Sequence, residues 1–316
     1  MILDTLIVRR KMKNISKKNH NILTIVLLST AMFFQFQSVN AQADTLSAWK
    51  KGAVLNLSLS QTSLTNWQGG GQNSIAANAL FSGFANYKKG KNSFDNSIDI
   101  GYGMLQQGKA GLIKSDDKID INTKYGRSAF KHFYYACLLN GKSQIAPGYN
   151  YPNDSIVISR FFAPAYVLAS IGIDYKPASY LTAYLSPITL KTTIVNDPKL
   201  NQVRAFGVDS GKVFRNEVGA YFRAQFEKDI MSNIRLKTKI ELFSNYKESP
   251  QNIDVNWEAL LSMKVNKFIS ATLSTTLIYD DNIKISVDKN NDGIVDAIGP
   301  RTQFKEIFGI GLSYKF

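Results

Sequence analysis

The chain has 316 residues and carries a formal net charge of +14, from 38 basic and 24 acidic side chains. Its single cysteine excludes an internal disulfide. A mean hydropathy of −0.15, with no apolar run of spanning length beyond the N-terminal segment, excludes a helical membrane protein. It does not exclude a β-barrel, whose strands carry their apolar side chains at every second position.

At the N-terminus Arg9, Arg10, Lys11, Lys13, Lys17 and Lys18 precede the apolar stretch Ile22 to Phe34, and Val39-Asn40-Ala41 places small or modest side chains before Gln42. This reads as a Sec-type signal peptide over residues 1–41, with Met12 a more conventional start than Met1, followed by one domain over 42–316. The processed chain stays basic, at about +9. An exported chain meets no cytoplasmic nucleic acid, so this charge points to anionic lipid headgroups and anionic solutes.

Reading for a period of two gives about twelve strands and almost no convincing helix. The first two span 51–64 and 74–87. In the third, Phe94, Asn96, Ile98, Ile100, Tyr102 and Met104 alternate with Asp95, Ser97, Asp99, Gly101 and Gly103. Spans 117–126, 131–141, 158–175 and 180–190 follow. Cys137 falls in the apolar run Phe133 to Leu139 and reads as a small buried hydrophobe. The eighth strand sets Val218, Ala220, Phe222, Ala224 and Phe226 against Glu217, Tyr221, Arg223 and Glu227. The ninth sets Ile234, Leu236, Ile240 and Leu242 against Arg235, Lys237, Lys239 and Glu241. The tenth sets Ile253, Val255, Trp257 and Leu261 against Asp254, Asn256 and Glu258. The last two spans are 268–279 and 303–316. Such strands need an oily medium on one face and water or a polar network on the other.

The connections alternate in length. Short links are expected at Lys88 to Lys91, Arg127 to Phe130, Lys176 to Ser179, Lys228 to Met231 and Asn266-Lys267; the intervening ones include Ser143 to Ile156, Lys191 to Lys212 and Asp280 to Thr302. Outer-membrane barrels sort their loops in this way, with short periplasmic turns and long extracellular loops, and an even strand count puts both termini in the periplasm. The final strand closes on Phe316 after Phe308, Ile310, Leu312 and Tyr314, a pattern that resembles the recognition signal read by the outer-membrane insertion machinery. Tyrosines near strand ends, such as Tyr87, Tyr125, Tyr175, Tyr180, Tyr246 and Tyr279, suit interfacial girdles as well as ordinary strand propensity. Together these features specify an all-β fold: a single antiparallel up-and-down transmembrane β-barrel of about twelve strands in the outer membrane, with lipid as its surroundings.

Candidate chemistry is sparse. Asp288, Asn290, Asp292 and Asp296, with Gly293 between and the Ile294 carbonyl available, match the first nine positions of a calcium loop, but Gly299 stands where a bidentate acid is expected. Asp280 or Asp281 would complete such a shell if the loop folds back; the alternative is a polar surface turn. No other cofactor is indicated. Asp116, Asp117 and Asp120 form an acidic cluster read as rim charges within reach of Lys114 and Lys118. His132, at the start of the fifth strand, is four residues from Ser128 and on the wrong side of the barrel for a lipid hydrolase, so no enzyme is read here. The polar faces supply Asp95, Asp99, Arg223, Arg235, Lys237, Lys239, Glu241, Asp254 and Glu258 as lumen-lining candidates. Mixed charge in a narrow interior either lines a pore or cross-links it shut, and the loop Lys191 to Lys212 is available to fold inward.

Ser60-Gln61-Thr62-Ser63-Leu64-Thr65-Asn66-Trp67 with Gly69-Gly70-Gly71, then Tyr87-Lys88-Lys89-Gly90, Asp99-Ile100-Gly101-Tyr102-Gly103, Asp116-Asp117-Lys118-Ile119 and the closing Gly309 to Phe316, resemble an uncharacterised domain-of-unknown-function family of exported Bacteroidota proteins. The resemblance implies export and an outer-membrane barrel but no activity, cofactor or substrate. The readings that follow are a narrow channel for small solutes or a structural membrane protein, a soluble periplasmic barrel holding an apolar ligand, and a lipid-modifying barrel enzyme. For the calcium loop, calorimetry on a peptide spanning Asp288 to Asp296 is expected to show binding heat at millimolar calcium. A flat titration marks the segment as a polar turn.

Overall fold

In the computed structural model, residues 48–64, 72–108, 111–151, 153–287 and 296–315 are described. The proposed signal segment, the calcium-loop residues Asp288 to Ile294 and the terminal Phe316 lie outside them.

Twelve antiparallel strands close into one barrel. In chain order they begin with β1 (Trp49–Thr62), β2 (Ser74–Lys89), β3 (Asn92–Gln107), β4 (Ile113–Phe130) and β5 (Phe133–Ser143). A loop hairpin of β6 (Gly148–Asn150) and β7 (Asn153–Ser159) stands outside the barrel. The wall resumes with β8 (Ala165–Ala178), β9 (Leu181–Ile194), β10 (Phe214–Met231), β11 (Ile234–Asn245), β12 (Ile253–Lys264) and β13 (Ile269–Tyr279). After a second loop hairpin, β14 (Lys284–Val287) and β15 (Ala297–Pro300), β16 (Gln303–Lys315) pairs with both β13 and β1 and shuts the ring.

The loop asymmetry is present and sharper than the sequence indicated. The pairs β2–β3, β4–β5, β8–β9 and β10–β11 are joined by the dipeptides Gly90-Lys91, Lys131-His132, Ser179-Tyr180 and Ser232-Asn233. Gly90 and His132 take φ of 56° and 63°, the left-handed conformation that tight hairpins demand. The expected links Lys88 to Lys91 and Asn266-Lys267 coincide with turns, whereas the other three sit a few residues early, because segments such as Arg127-Ser128-Ala129-Phe130 continue the alternation and are held in β4 by pairing with β5. His132 is accordingly a turn residue and not the first of a strand. The sixth barrel strand starts at Ala165 and not at residue 158, since Asn153–Ser159 pairs back on β6. Lys191 belongs to β9 and not to the following loop.

The two faces of the wall are chemically opposite. Leu59, Tyr135, Leu139, Ile171, Leu185, Ile188, Phe304, Phe308, Ile310 and Leu312 are all exposed on the outside. Buried positions on the inside include Asp120, Asn122, Lys124, Asp174, Arg223, Lys239 and Glu241. This inverts the arrangement a soluble ligand-binding barrel requires. Cys137 is exposed on the outward, apolar face of β5 and is not buried as its apolar neighbours implied. Alternation identified the oily face correctly, but in this barrel the oily face points away from the interior.

The seam between β1 and β16 is tightly fitted. A Cβ on Gly311 would stand 1.9 Å from the Leu57 carbonyl oxygen, a backbone atom that cannot yield. Gly311→Val is therefore expected to open the seam and cost about 2–3 kcal/mol or more, read as a lowered urea midpoint for Trp fluorescence. An unchanged midpoint would show that the seam tolerates side chains.

Candidate functional site

Side chains on strands that are not ring neighbours can meet only through the lumen, and β4 supplies a column of them. Its inward residues reach in turn to Lys305 on β16 (from Asp116), Glu258 on β12 (from Lys118), Lys239 on β11 (from Asp120, 2.6 Å), Arg223 on β10 (from Asn122) and Asp174 on β8 (from Lys124, 2.7 Å). The partners follow the order of strands round the ring. β4 is a spine, and its contacts fan across the barrel.

Around the middle spokes most charges are paired, while Arg223 meets the neutral Asn122 and keeps its Nε without a hydrogen-bond partner among the described residues. Lys142 pairs with Glu241, the Tyr221 hydroxyl donates to Glu241 at 2.7 Å, and the Asn140 amide donates to Asp120 at 2.6 Å. Lys239 also lies 3.5 Å from Glu258. Below this belt Lys237 crosses to Asp99 at 3.0 Å, and Lys176 joins Asp95 at 2.5 Å and Asp174 at 3.4 Å. Above it Lys191 is shared by Asp254 at 2.6 Å, Asp280 at 3.4 Å and Glu217 at 3.7 Å. Buried charges persist only when paired and hydrogen-bonded, because desolvation costs several kcal/mol per ion. The alternating signs along β4 meet that requirement.

The cross-links are not spread evenly. Among the described residues, cross-lumen ion pairs join β3, β4, β5, β8, β9, β11 and β12; on β16 they involve Lys305 alone, and Asp280, just past the end of β13, meets Lys191 at 3.4 Å. The remaining wall, β13, β16, β1 and β2, presents mostly small groups: Ser274 and Thr276, Gly309 and Gly311, Asn56 and Ser58, Asn78 and Ser82. A Cβ on Gly309 would stand 2.6 Å from Ser58 Oγ and 4.0 Å from Thr272 Oγ1, which puts these three strands' small residues on one inner surface. Accessibility divides along the same line. Asp120, Arg223, Lys239 and Glu241 are at most 6% exposed, whereas the side chains of Lys305, Lys118 and Lys237, nearer the small-residue wall, are 43%, 34% and 30% exposed.

At the long-loop end a cavity of about 410 Å3 lies over the belt, bounded by Asp120, Lys142, Tyr166, Lys191, Asp254 and Lys305, with Phe206 at its mouth. Phe206 comes from the β9–β10 connection. There Asp197 caps the short helix α1 (Pro198–Gln202), accepting from the backbone N–H groups of Lys199 and Leu200. Val195, Leu200 and Val208 form a small core with Ala163 of the preceding loop, and Arg160 pairs with Asp197 at 3.3 Å. The connection is thus a built element at the mouth, and Phe206 is its inward-reaching residue.

Of the lumen-lining candidates, Asp95, Asp99, Arg223, Lys237, Lys239, Glu241, Asp254 and Glu258 enter these contacts. Arg235 shares the face of Lys237 but lies at the short-turn end, bound to Asp229 at 2.7 Å and Glu227 at 3.5 Å. Asp117 pairs with Lys114 at 2.9 Å, while Asp116 and Asp120 are spokes and not solvated rim charges. Sequence reading missed Lys118, Lys124, Lys142, Asp174, Lys191 and Lys305. The signal was present in β4, where Lys118, Asp120, Asn122 and Lys124 alternate with Ile119, Ile121, Thr123 and Tyr125. Asp280 is held by Lys191, and Asp281 accepts from Asn252 at 2.8 Å. Among the described residues no group of three or more His, Cys, Asp or Glu side chains is arranged to hold a metal.

Residues 59–149 match the model of a family described as Protein of unknown function (DUF3078). The match runs from β1 to β6, so it contains the spine and most of the segments quoted for the family resemblance, though not the closing strand. No curated protein matches the sequence. Among solved structures, the translocator domain of the autotransporter NalP from Neisseria meningitidis aligns over 94% of this chain and 98% of its own, at 8% identity and a TM-score of 0.34. An outer-membrane channel from Pseudomonas putida F1 aligns over 89% of this chain and 100% of its own, at 8% identity and a TM-score of 0.36. The barrel itself rests on its closed hydrogen-bonded pairing.

Removing one member of the buried belt leaves its partners uncompensated. Lys239→Met is expected to cost about 3–5 kcal/mol, and adding Asp120→Leu should recover much of it. Lys305→Gln, at a pair whose lysine is accessible although Asp116 is buried, should cost less than Lys239→Met, about 1–2 kcal/mol. Denaturant midpoints of the three variants check the order; equal losses would show that the belt and the accessible pair are energetically alike.

Proposed function

We propose that the chain is an exported outer-membrane barrel, directed by a signal peptide over residues 1–41, whose narrow lumen passes small hydrophilic solutes along the wall of β13, β16, β1 and β2. The one-sided placement of the cross-links carries the channel reading. A lumen sealed for a purely structural role has no need to keep all but the Lys305 and Asp280 contacts off one wall, or to leave Lys118, Lys237 and Lys305 accessible. Twelve strands give an interior between the filled eight-stranded barrels and the open porins, so a packed half still leaves a narrow passage.

The outer surface supports the membrane reading. At the short-turn end Trp49 stacks near Tyr87 at 5.3 Å and Phe94 at 6.5 Å, Phe133 contacts both Phe130 and Tyr175 at 4.6 Å, and Tyr180 meets Phe226 at 5.8 Å. Aromatic rings gather in this way at membrane interfaces. Along β3, the outward residues from Phe94 to Tyr102 span about 27 Å of strand at ~3.4 Å per residue. A tilt of ~40° turns this into roughly 20 Å of height, close to the ~25 Å apolar band of outer-membrane barrels.

Purified protein in planar bilayers is expected to show small, ohmic conductance that Ser274→Trp, on the inner face of the small-residue wall, lowers at least about tenfold, while Leu273→Trp on the outer face leaves it unchanged. Silence of the wild type across salt conditions would refute the channel and favour a structural role. Release of the protein by osmotic shock without detergent would refute the membrane reading itself.

A further inference from the structure

Charge is distributed unequally between the two ends of the barrel. At the long-loop end many acids and bases meet as pairs, Arg160 with Asp197, Lys212 with Asp209, Arg215 with Glu217 and Glu248, Lys114 with Asp117, beside the exposed bases Lys199, Arg204, Lys247 and Lys284 and the carboxylates Asp154, Asp281 and Asp296. At the short-turn end Lys88, Lys89 and Lys91 surround Gly90, Lys131 sits in the β4–β5 turn, and Lys228 lies in the exposed stretch Glu227–Met231 that ends β10. Lys264 and Lys267 flank the β12–β13 turn, and all seven are exposed. The carboxylates of that end, Glu227 and Asp229, are already engaged by Arg235.

These lysines occupy a particular level. Lys228 Nζ lies 4.6 Å from the centroid of the Tyr180 ring, and on β1 Lys51 Nζ lies 5.9 Å from that of Trp49. Both rings belong to the aromatic band of the short-turn end, so these ammonium groups stand at its level, where headgroups begin. They are also set around the circumference, on the β2–β3, β4–β5, β10–β11 and β12–β13 turns, and not gathered in one patch. A compact ligand cannot touch such a ring at once. A leaflet surrounding the barrel can.

We infer that this basic collar binds the phosphate-bearing headgroups of anionic phospholipids in the leaflet next to the short turns, an inference that rests on the membrane-spanning reading above. Lysine is a strongly hydrated point charge on a flexible stem, suited to many headgroups in fluid exchange and not to one fixed bidentate contact. The attraction adds over the ring and is screened by salt. It also gives the barrel a vertical reference: the collar marks the level at which the apolar band ends.

The test reconstitutes the full-length chain into bilayers of equal parts phosphatidylglycerol and phosphatidylcholine and measures, by native mass spectrometry, which lipids stay bound when the barrel is released. Retention of phosphatidylglycerol is expected to exceed that of phosphatidylcholine about threefold or more. Substitution of Lys88, Lys89, Lys91, Lys131 and Lys228 by Gln should bring the ratio to parity while heat-modifiable gel migration, the mark of a folded barrel, stays unchanged. Parity in the wild type, or a preference untouched by the five substitutions, overturns the inference. So does binding to isolated murein sacculi in place of lipid, which would assign the collar to the cell wall. Failure of the wild type to enter bilayers at all is a separate result and strikes the membrane reading first.

Discussion

The structure depends on one constraint: charge that faces the inside of a closed wall must find opposite charge across the gap. Salt bridges on open surfaces contribute little, because water solvates each partner nearly as well. Inside this barrel water is restricted, and an ion left alone carries its full desolvation cost. The alternating signs on β4, answered by residues on β16, β12, β11 and β8, with Arg223 of β10 meeting Asn122 in between, satisfy the constraint without a separate plug domain among the described residues. Packing, the position of the accessible wall and the shape of the vestibule all follow from where those spokes land. The apolar exterior is the complementary half of the same pattern, since period-two strands that send charge inward send their Leu, Ile and Phe outward.

Much of this was legible in the chain. The strands of Asp95 to Met104 and Glu217 to Glu227 announced both their existence and their two faces, because alternation is a local property. Loop asymmetry was legible for the same reason. Turn positions were not: Arg127 to Phe130 carries polar residues that look like a turn, yet cross-strand pairing with β5 keeps it in the wall. Pairing across the lumen was illegible for a deeper reason. Nothing in the sequence near Lys118 designates Glu258, 140 residues away, as its partner; that is decided by ring closure and stagger. The exposed Cys137 shows the limit of composition, since an apolar neighbourhood does not say which side of the wall the oil is on.

The two mouths differ in construction as well as in charge. The short-turn end is made of four dipeptide hairpins and one four-residue turn, which leave little main chain to cover the opening. The other mouth carries a capped helix, a small apolar core and Phe206 over the cavity. A solute moving between them would meet a structured entrance on one side and a bare, basic rim on the other. The lumen is therefore polar in both senses, chemically within and directionally from end to end.

The spokes of β4 also bear on how the chain can be built. Asp116 meets Lys305 across 189 residues of sequence, and Asp120 meets Lys239 across 119. A hairpin of β3 and β4 released alone into lipid would carry Asp99, Asp116, Lys118, Asp120 and Lys124 with none of their distant partners yet present. Strand-by-strand insertion would thus expose the membrane to a row of unanswered ions, and the last of them is answered only when the C-terminal strand arrives. In a membrane such a wall would have to be kept wet or chaperoned until β16 is in reach, and that strand would then both close the ring and complete its charge balance.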